Sequence, residues 1–159
     1  MTQLDVLCDA AIESGLPVAL DSSALIALLT DEQPVGSLVA KLTSNRVRVV
    51  LSAIVISESL VRTARFVERS FLESVAESIH TEPIFQVVPF GAEQIVETAI
   101  VRVETRLKFP DAAILATARV AGALAIVGND RVWQNKLLGI QYIHLDDVVR
   151  EAHMEQEPR

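Results

Sequence analysis

The sequence predicts an α/β fold, a three-layer α/β/α sandwich around a mainly parallel sheet of about four to five strands. Three observations predict it. Short aliphatic runs alternate with amphipathic stretches along the chain, the pattern of strands joined by helical crossovers. Hydrophobic residues make up 50% of the 159 while aromatics supply only 4%, so the core is built from Ala, Val, Leu and Ile, as in strands covered on both faces. Two of the aliphatic runs are closed by an aspartate, Asp21 directly and Asp130 after Gly128 and Asn129. Open parallel sheets place their ligands just beyond the carboxyl ends of such strands.

The elements follow in order. Leu4, Leu7, Cys8, Ala11 and Ile12 recur at spacings of three and four and predict a helix over 3–14, stopped by Gly15 and Pro17. Residues 17–20 form a buried strand ending at Asp21, and Ser22 or Ser23 is the expected cap of a helix over 24–29. Pro34 opens a helix to about Leu42. A second strand is expected over 46–51. Ser52 caps a long helix that holds Glu58, and 68–79 continues helically. A third strand over 85–90, a helix over 93–107 and a helix from Pro110 and Asp111 to about Ala121 come next, with Gly122 as its stop. Residues 124–127 are a fourth strand, 131–138 a helical turn or two, 141–143 an edge strand and 146–152 a last helix. The chain is expected to be one domain over 1–159, with the 3–14 helix as an addition and 151–159 as a frayed polar tail.

Bulk properties exclude several classes. The mean hydropathy of +0.36 is high, yet the longest uncharged apolar stretch is 120–128, far short of the roughly 20 residues a membrane span requires. Asp5, Asp9 and Glu13 break up the start, so no secretory signal is expected there. The single cysteine, Cys8, leaves no internal disulfide and fits a reducing, cytoplasmic setting. A net charge of −7 argues against holding nucleic acid by bulk electrostatics, because phosphate contacts come from Lys and Arg. It leaves open an enzyme that meets nucleic acid through a bound metal. Phosphate-loop, dinucleotide, nucleophile-elbow and zinc-peptidase motifs are all missing.

What remains is a set of acids. Asp21 and Asp130 stand at strand ends, Asp111 at a helix start, and Glu58 among Ile54, Val55, Ile56, Leu60 and Val61, where an unpaired carboxylate is costly. Each has an ordinary explanation taken singly: a cap for Asp21, a first-turn acid for Asp111, a turn residue for Asp130, a pair with Arg62 for Glu58. Gathered at one sheet edge they repel. Two unit charges about 4 Å apart cost roughly 4 kcal/mol at an effective dielectric of 20. A hard divalent cation relieves this, and all-oxygen donors without His or Cys suit Mg²⁺ or Mn²⁺ rather than zinc.

The motifs resemble those of PIN-domain nucleases. Residues 18–29 (VALDSSALIALL) resemble their opening strand and helix, 52–62 (SAIVISESLVR) their second acidic helix, 111–118 (DAAILATA) their third motif and 125–133 (AIVGNDRVW) their fourth. The four come in family order over about 17–145, and length and layout are most similar to the VapC toxins of VapBC toxin–antitoxin pairs. The resemblance implies a Mg²⁺- or Mn²⁺-dependent endoribonuclease with Asp21, Glu58, Asp111 and Asp130 as metal ligands, directly or through water. Ser23 would orient Asp21 or a bound water. It also implies phosphodiester hydrolysis by metal-activated water, leaving a 5′-phosphate and a 3′-hydroxyl, a homodimer and a small antitoxin partner. The chain departs from the pattern at Gly128, where the family usually carries Ser or Thr. Asn129 is a candidate substitute, and Gly128→Thr is expected to preserve or raise activity.

Arg62, Arg65 and Arg69, at helical spacing on one expected face, and Lys108 beside Asp111 are candidate phosphate contacts, against the alternative of a solvated or partner-facing surface. Trp133 is expected in the core or an interface, Cys8 buried and inert, and His80, His144 and His153 without a joint role. An aspartyl-nucleophile phosphatase would need a second Asp where Ser23 stands. A signal receiver would need an acidic pair near the first strand, and Asp146 and Asp147 come too late. A non-catalytic PIN-like scaffold and a housekeeping RNA-processing nuclease remain the alternatives to a toxin.

Overall fold

The computed structural model describes residues 1–133 and 139–156. The chain runs α1 (Gln3–Ser14), β1 (Val18–Leu20), α2 (Ser22–Thr30), α3 (Val35–Ser44), β2 (Val49–Ser52), α4 (Ala53–Val61), a 3₁₀ turn (Thr63–Arg65), α5 (Arg69–Thr81), β3 (Phe85–Val88), α6 (Ala92–Thr105), α7 (Phe109–Val120), β4 (Ala125–Gly128), a 3₁₀ turn (Arg131–Trp133), β5 (Gln141–His144) and α8 (Leu145–Gln156). The five strands pair in parallel in the order β3-β2-β1-β4-β5, with helices on both faces in an α/β/α sandwich. Parallel strands need crossovers, and the intervening helices supply them.

Every residue of β1, β2 and β4 is buried, which is why these segments are unbroken aliphatic runs rather than alternating ones. On α7 the whole stretch from Ala112 to Ala118 is buried, and its alanines let the helix lie close on β2, β4 and α6. Thr2 and Asp5 form a reciprocal capping box at the start of α1, and Gly15 closes that helix at φ 67°, a left-handed turn glycine adopts without strain.

Four local expectations are corrected. The helix after β1 begins at Ser22, and its cap is Asp21, which accepts from the Ala24 N–H; neither Ser22 nor Ser23 caps it. The second strand starts at Val49 rather than residue 46, because Arg46 takes φ 57° to reverse the chain after α3. The helix holding Glu58 ends at Val61 and gives way to a 3₁₀ turn, so α5 is a separate helix. The stretch from Glu151 to Gln156 continues α8 instead of fraying. Val148 anchors that helix in the core, and the Gln3 N–H donates to Glu151 Oε2 at 2.8 Å. Of the turn expected over 131–138, only 131–133 lies within the described residues.

Candidate active site

The chain leaves β1 toward β2 on one side and later returns to place β4 on the other, so the crevice at the carboxyl ends of β1 and β4 is the sheet's switch point. Asp21 sits at its floor. Its N–H donates to the Val127 carbonyl, extending the β1–β4 ladder by one step. Its Oδ1 accepts from Ser23 Oγ at 2.6 Å and the Ala24 N–H at 2.9 Å, and its Oδ2 accepts from the Tyr142 hydroxyl at 2.8 Å. Asp21 is only 3% exposed, and burial pushes its carboxyl above the usual range against the pull of these donors. The cap and the site are therefore one and the same side chain.

Glu58 and Asp130, like Asp21, lie near enough for their charges to act on Asp111. Glu58, half-buried on α4, accepts from Ser22 Oγ at 3.0 Å. Asp130 is exposed; its Oδ1 accepts from the Val132 N–H and its own N–H donates to the Tyr142 oxygen, both at 2.9 Å. Asp111, half-buried in the first turn of α7, carries the electrostatic signature of the group. Its carboxyl is raised first by burial and then by the charges of Asp130, Glu58 and Asp21, with Lys108 opposing. Among the described residues no donor reaches the Asp111 carboxylate. Asp111 thus feels the charges of the other three acids that the sequence singled out, and Lys108 offsets only part of them.

These donors suit a hard divalent cation in kind: carboxylates alone, crowded, with one nearby lysine. They do not form a closed cage. Among the described residues, no three Asp, Glu, His or Cys side chains converge closely enough to enclose an ion. Mg²⁺ tolerates this, since it commonly keeps several waters and takes one or two carboxylates directly.

Sequence reasoning missed two residues here. Ser22, read as a possible cap, is the partner of Glu58. Tyr142 was not singled out at all; the signal was a lone tyrosine in an aromatic-poor chain, on the strand next to β4. Asn129 is not the substitute for a hydroxyl at position 128. Its side chain is turned to α8, with Nδ2 donating to Asp146 Oδ1 at 2.8 Å, and only its N–H serves the site, donating to Ser23 Oγ at 2.8 Å.

Gly128 borders Asp21 directly. A Cβ there would lie 1.8 Å from Asp21 Oδ2 and 2.0 Å from Asp21 Cγ, so the carboxylate already fills the space a side chain would need.

The three arginines do not share a helical face, because α4 ends before Arg62. Arg69 pairs with Glu73 at 2.6 Å, whereas Arg62 lines a small cavity with Ser23 and Asn129 at the edge of the acids. Trp133 is buried against Tyr142, and Cys8 is buried with its thiol pushed up by desolvation.

A family model of the PIN domain matches residues 18–136. A comparison with curated protein sequences finds no match. Similar solved structures include a toxin–antitoxin complex from Klebsiella pneumoniae, with TM-score 0.61, 18% identity, and coverage of 80% of this chain and 97% of that one. A DNA-bound VapBC from Salmonella typhimurium gives TM-score 0.63 and 18% identity over 82% and 98% of the two chains. The Mycobacterium tuberculosis toxin VapC20, described as cleaving the sarcin–ricin loop, gives TM-score 0.60 and 18% identity over 78% and 98%.

Proposed function

Since this chain belongs to the PIN-domain family, we propose that it is a Mg²⁺- or Mn²⁺-dependent endoribonuclease, the toxin of a type II toxin–antitoxin pair, acting in the cytoplasm. The observation that carries the reading is Asp111, whose carboxyl is raised first by burial and then by the charges of Asp130, Glu58 and Asp21. A divalent cation held by Asp21 and Asp111, with Glu58 and Asp130 as direct or water-mediated ligands, would neutralise those charges, polarise a scissile phosphate and acidify a water.

The chain's own residues prepare the site. Ser23 and the Ala24 N–H fix one Asp21 oxygen, Ser22 fixes Glu58, and the Val132 N–H fixes Asp130. Lys108, whose charge acts on Asp111, and Arg62, which lines a cavity with Ser23 and Asn129, would supply positive charge for substrate phosphates. Water attack on phosphorus with departure of the 3′-oxygen leaves a 5′-phosphate and a 3′-hydroxyl.

The RNA class is supported by the description of the tuberculosis neighbour, and the antitoxin by neighbours solved as toxin–antitoxin complexes. An open groove of about 690 Å³ between α2, α4 and α5, bearing the exposed Phe66 and Phe71, offers an apolar face for such a partner. A homodimer is proposed on the family resemblance alone. No helix among the described residues is long and apolar enough to cross a membrane.

A non-catalytic scaffold is the second reading, favoured by the lack of three converging carboxylates among the described residues. Calorimetric titration of Mn²⁺ into the chelator-stripped protein, beside Asp21→Asn and Asp111→Asn, separates the two. Saturable binding lost in both variants supports the nuclease. Absence of binding in the folded protein supports the scaffold.

A further inference from the structure

We propose that Tyr142 is the positioning residue of the acidic site, its hydroxyl standing in for the side chain that residue 128 lacks and tying Asp21 to the Asp130 segment. The proposal rests on the metal-site reading above and deepens it. The tie is direct: the phenol donates to Asp21 Oδ2 at 2.8 Å and accepts from the Asp130 N–H at 2.9 Å. One hydroxyl thereby serves as donor and acceptor at once, and the end of β1 is joined to the loop after β4 through an atom of neither.

Sheet register explains why a tyrosine on β5 can do this. Leu20 pairs with Val127, so Asp21 comes level with Gly128, and Gly128 pairs with His144. Side chains two apart on a strand share a face. Tyr142 therefore lies on the face where a side chain of residue 128 would stand, one pair upstream. The missing side chain matters as much as the present one, since any Cβ at 128 would meet Asp21 Oδ2 at 1.8 Å, the oxygen that the phenol holds. A side chain at 128 would require Asp21 Oδ2 to move from the place where the Tyr142 hydroxyl holds it. The phenol ring is itself held, stacked on the buried Trp133 with centroids 5.7 Å apart and planes 19° apart.

Tyr142→Phe keeps the ring and its stacking and removes one oxygen. Without metal, hydrogen exchange at the Asp130 amide is expected to quicken about fivefold, the factor that one ordinary hydrogen bond corresponds to, while the Ile126 amide is unchanged. Unchanged exchange at Asp130 overturns the tie. In the calorimeter Mn²⁺ affinity is expected to fall by about 10–100-fold, as for loss of a group that orients a ligand. Equal or tighter binding overturns the positioning role, tighter binding because the phenol would then be occupying a ligand site. Gly128→Ser supplies the third arm: its loss of thermal stability is expected to be smaller in the Tyr142→Phe background, where Asp21 is free to turn away, and strict additivity overturns the coupling. If the wild-type protein takes up no Mn²⁺, the metal-site reading fails by itself, while the exchange and additivity measurements still decide the tie.

Discussion

Asp5 and Asp111 occupy the same place on two helices, each three residues after the N-cap, and their carboxyls move in opposite directions. Asp5 turns back on its own cap. The Thr2 N–H and hydroxyl donate to it at 2.8 and 2.9 Å, Lys41 stands 3.1 Å away, and its pKa is lowered to about 2, chiefly by the Thr2 N–H. Asp111 follows Lys108, which gives no side-chain cap, and it faces burial and three other carboxylates that raise its pKa. A first-turn acid favours its helix in both cases. What separates the two acids is the set of groups the rest of the fold brings to each: Asp5 meets donors and a lysine, Asp111 meets burial and the charges of three other acids.

The comparison breaks most sharply under neutralisation. Asp111→Asn is expected to lower RNA cleavage by well over the roughly 100-fold that loss of a ligand-orienting group costs. The same substitution should leave the metal-free fold as stable or more so, because it removes a charge the folded state disfavours. Asp5→Asn should do the reverse, leaving cleavage intact and costing about 1 kcal/mol in urea unfolding through the weakened capping box. A cleavage assay and a denaturation curve on both variants check the crossing. Parallel behaviour of the two would deny that Asp111 belongs to a site at all.

The next largest effect lies at Gly128. Gly128→Thr should destabilise the fold by about 1–3 kcal/mol, as overpacking does, and weaken Mn²⁺ binding, since the carboxylate that fills the space belongs to Asp21. A melting curve and a titration test this directly. Unaltered stability would mean that Asp21 has another rotamer at hand, and its hold by Ser23 and Ala24 would then be looser than the distances imply.

Gly128 also marks where sequence reading ran out. The five strands and the helices between them were legible because buried parallel strands must be aliphatic runs and their crossovers amphipathic. Asp21, Glu58, Asp111 and Asp130 were legible as carboxylates in places where a lone charge is costly or a strand ends. The contents of the space over Gly128 were not, because a glycine tells nothing about which neighbour fills its absent side chain. That neighbour proved to be the carboxylate of Asp21, met by a hydroxyl from β5. The break between α4 and α5 was hidden for a similar reason: residues 62–68 keep helical composition, and only the three-dimensional path shows that Arg62 and Arg69 part company.

Acidity sharpens the comparison further. A carboxyl raised in the folded state binds more protons there than in the unfolded chain, so its contribution to stability falls as pH rises from the unfolded value of 3.8 to the raised one. Lowering the pH through those raised values should therefore raise the melting temperature of the chelator-treated protein through Asp111 and Asp21. Asp5 has the opposite sign. Its contribution is complete above 3.8 and lost between there and about 2, hastening acid unfolding. With saturating Mn²⁺ the trend should invert, because carboxylate ligands must be deprotonated to bind. Melting curves across pH, with and without Mn²⁺, read both signs, and the metal-free slope should flatten in Asp111→Asn.

The smallest expected effects come from the two lysines, and they sort the same way. Lys41 and Asp5 form a pair whose side chains are 43% and 34% exposed, so Lys41→Met should cost no more than about 1 kcal/mol and leave Mn²⁺ affinity alone. Lys108 favours the charged form of Asp111, so Lys108→Met should weaken Mn²⁺ binding wherever Asp111 is partly protonated by making deprotonation harder, even though a positive charge would be removed from beside a bound cation. Those two influences oppose each other: the lysine repels the metal directly while it readies the ligand. At a pH low enough for Asp111 to be partly protonated the second should dominate and the variant should bind less tightly. At a pH high enough for Asp111 to be ionised in either protein, the first should remain and the variant should bind more tightly. A crossing of the two affinities with pH, by no more than about fivefold in either direction, would show Lys108 acting on the site through Asp111. A constant ratio would show it acting on the cation alone.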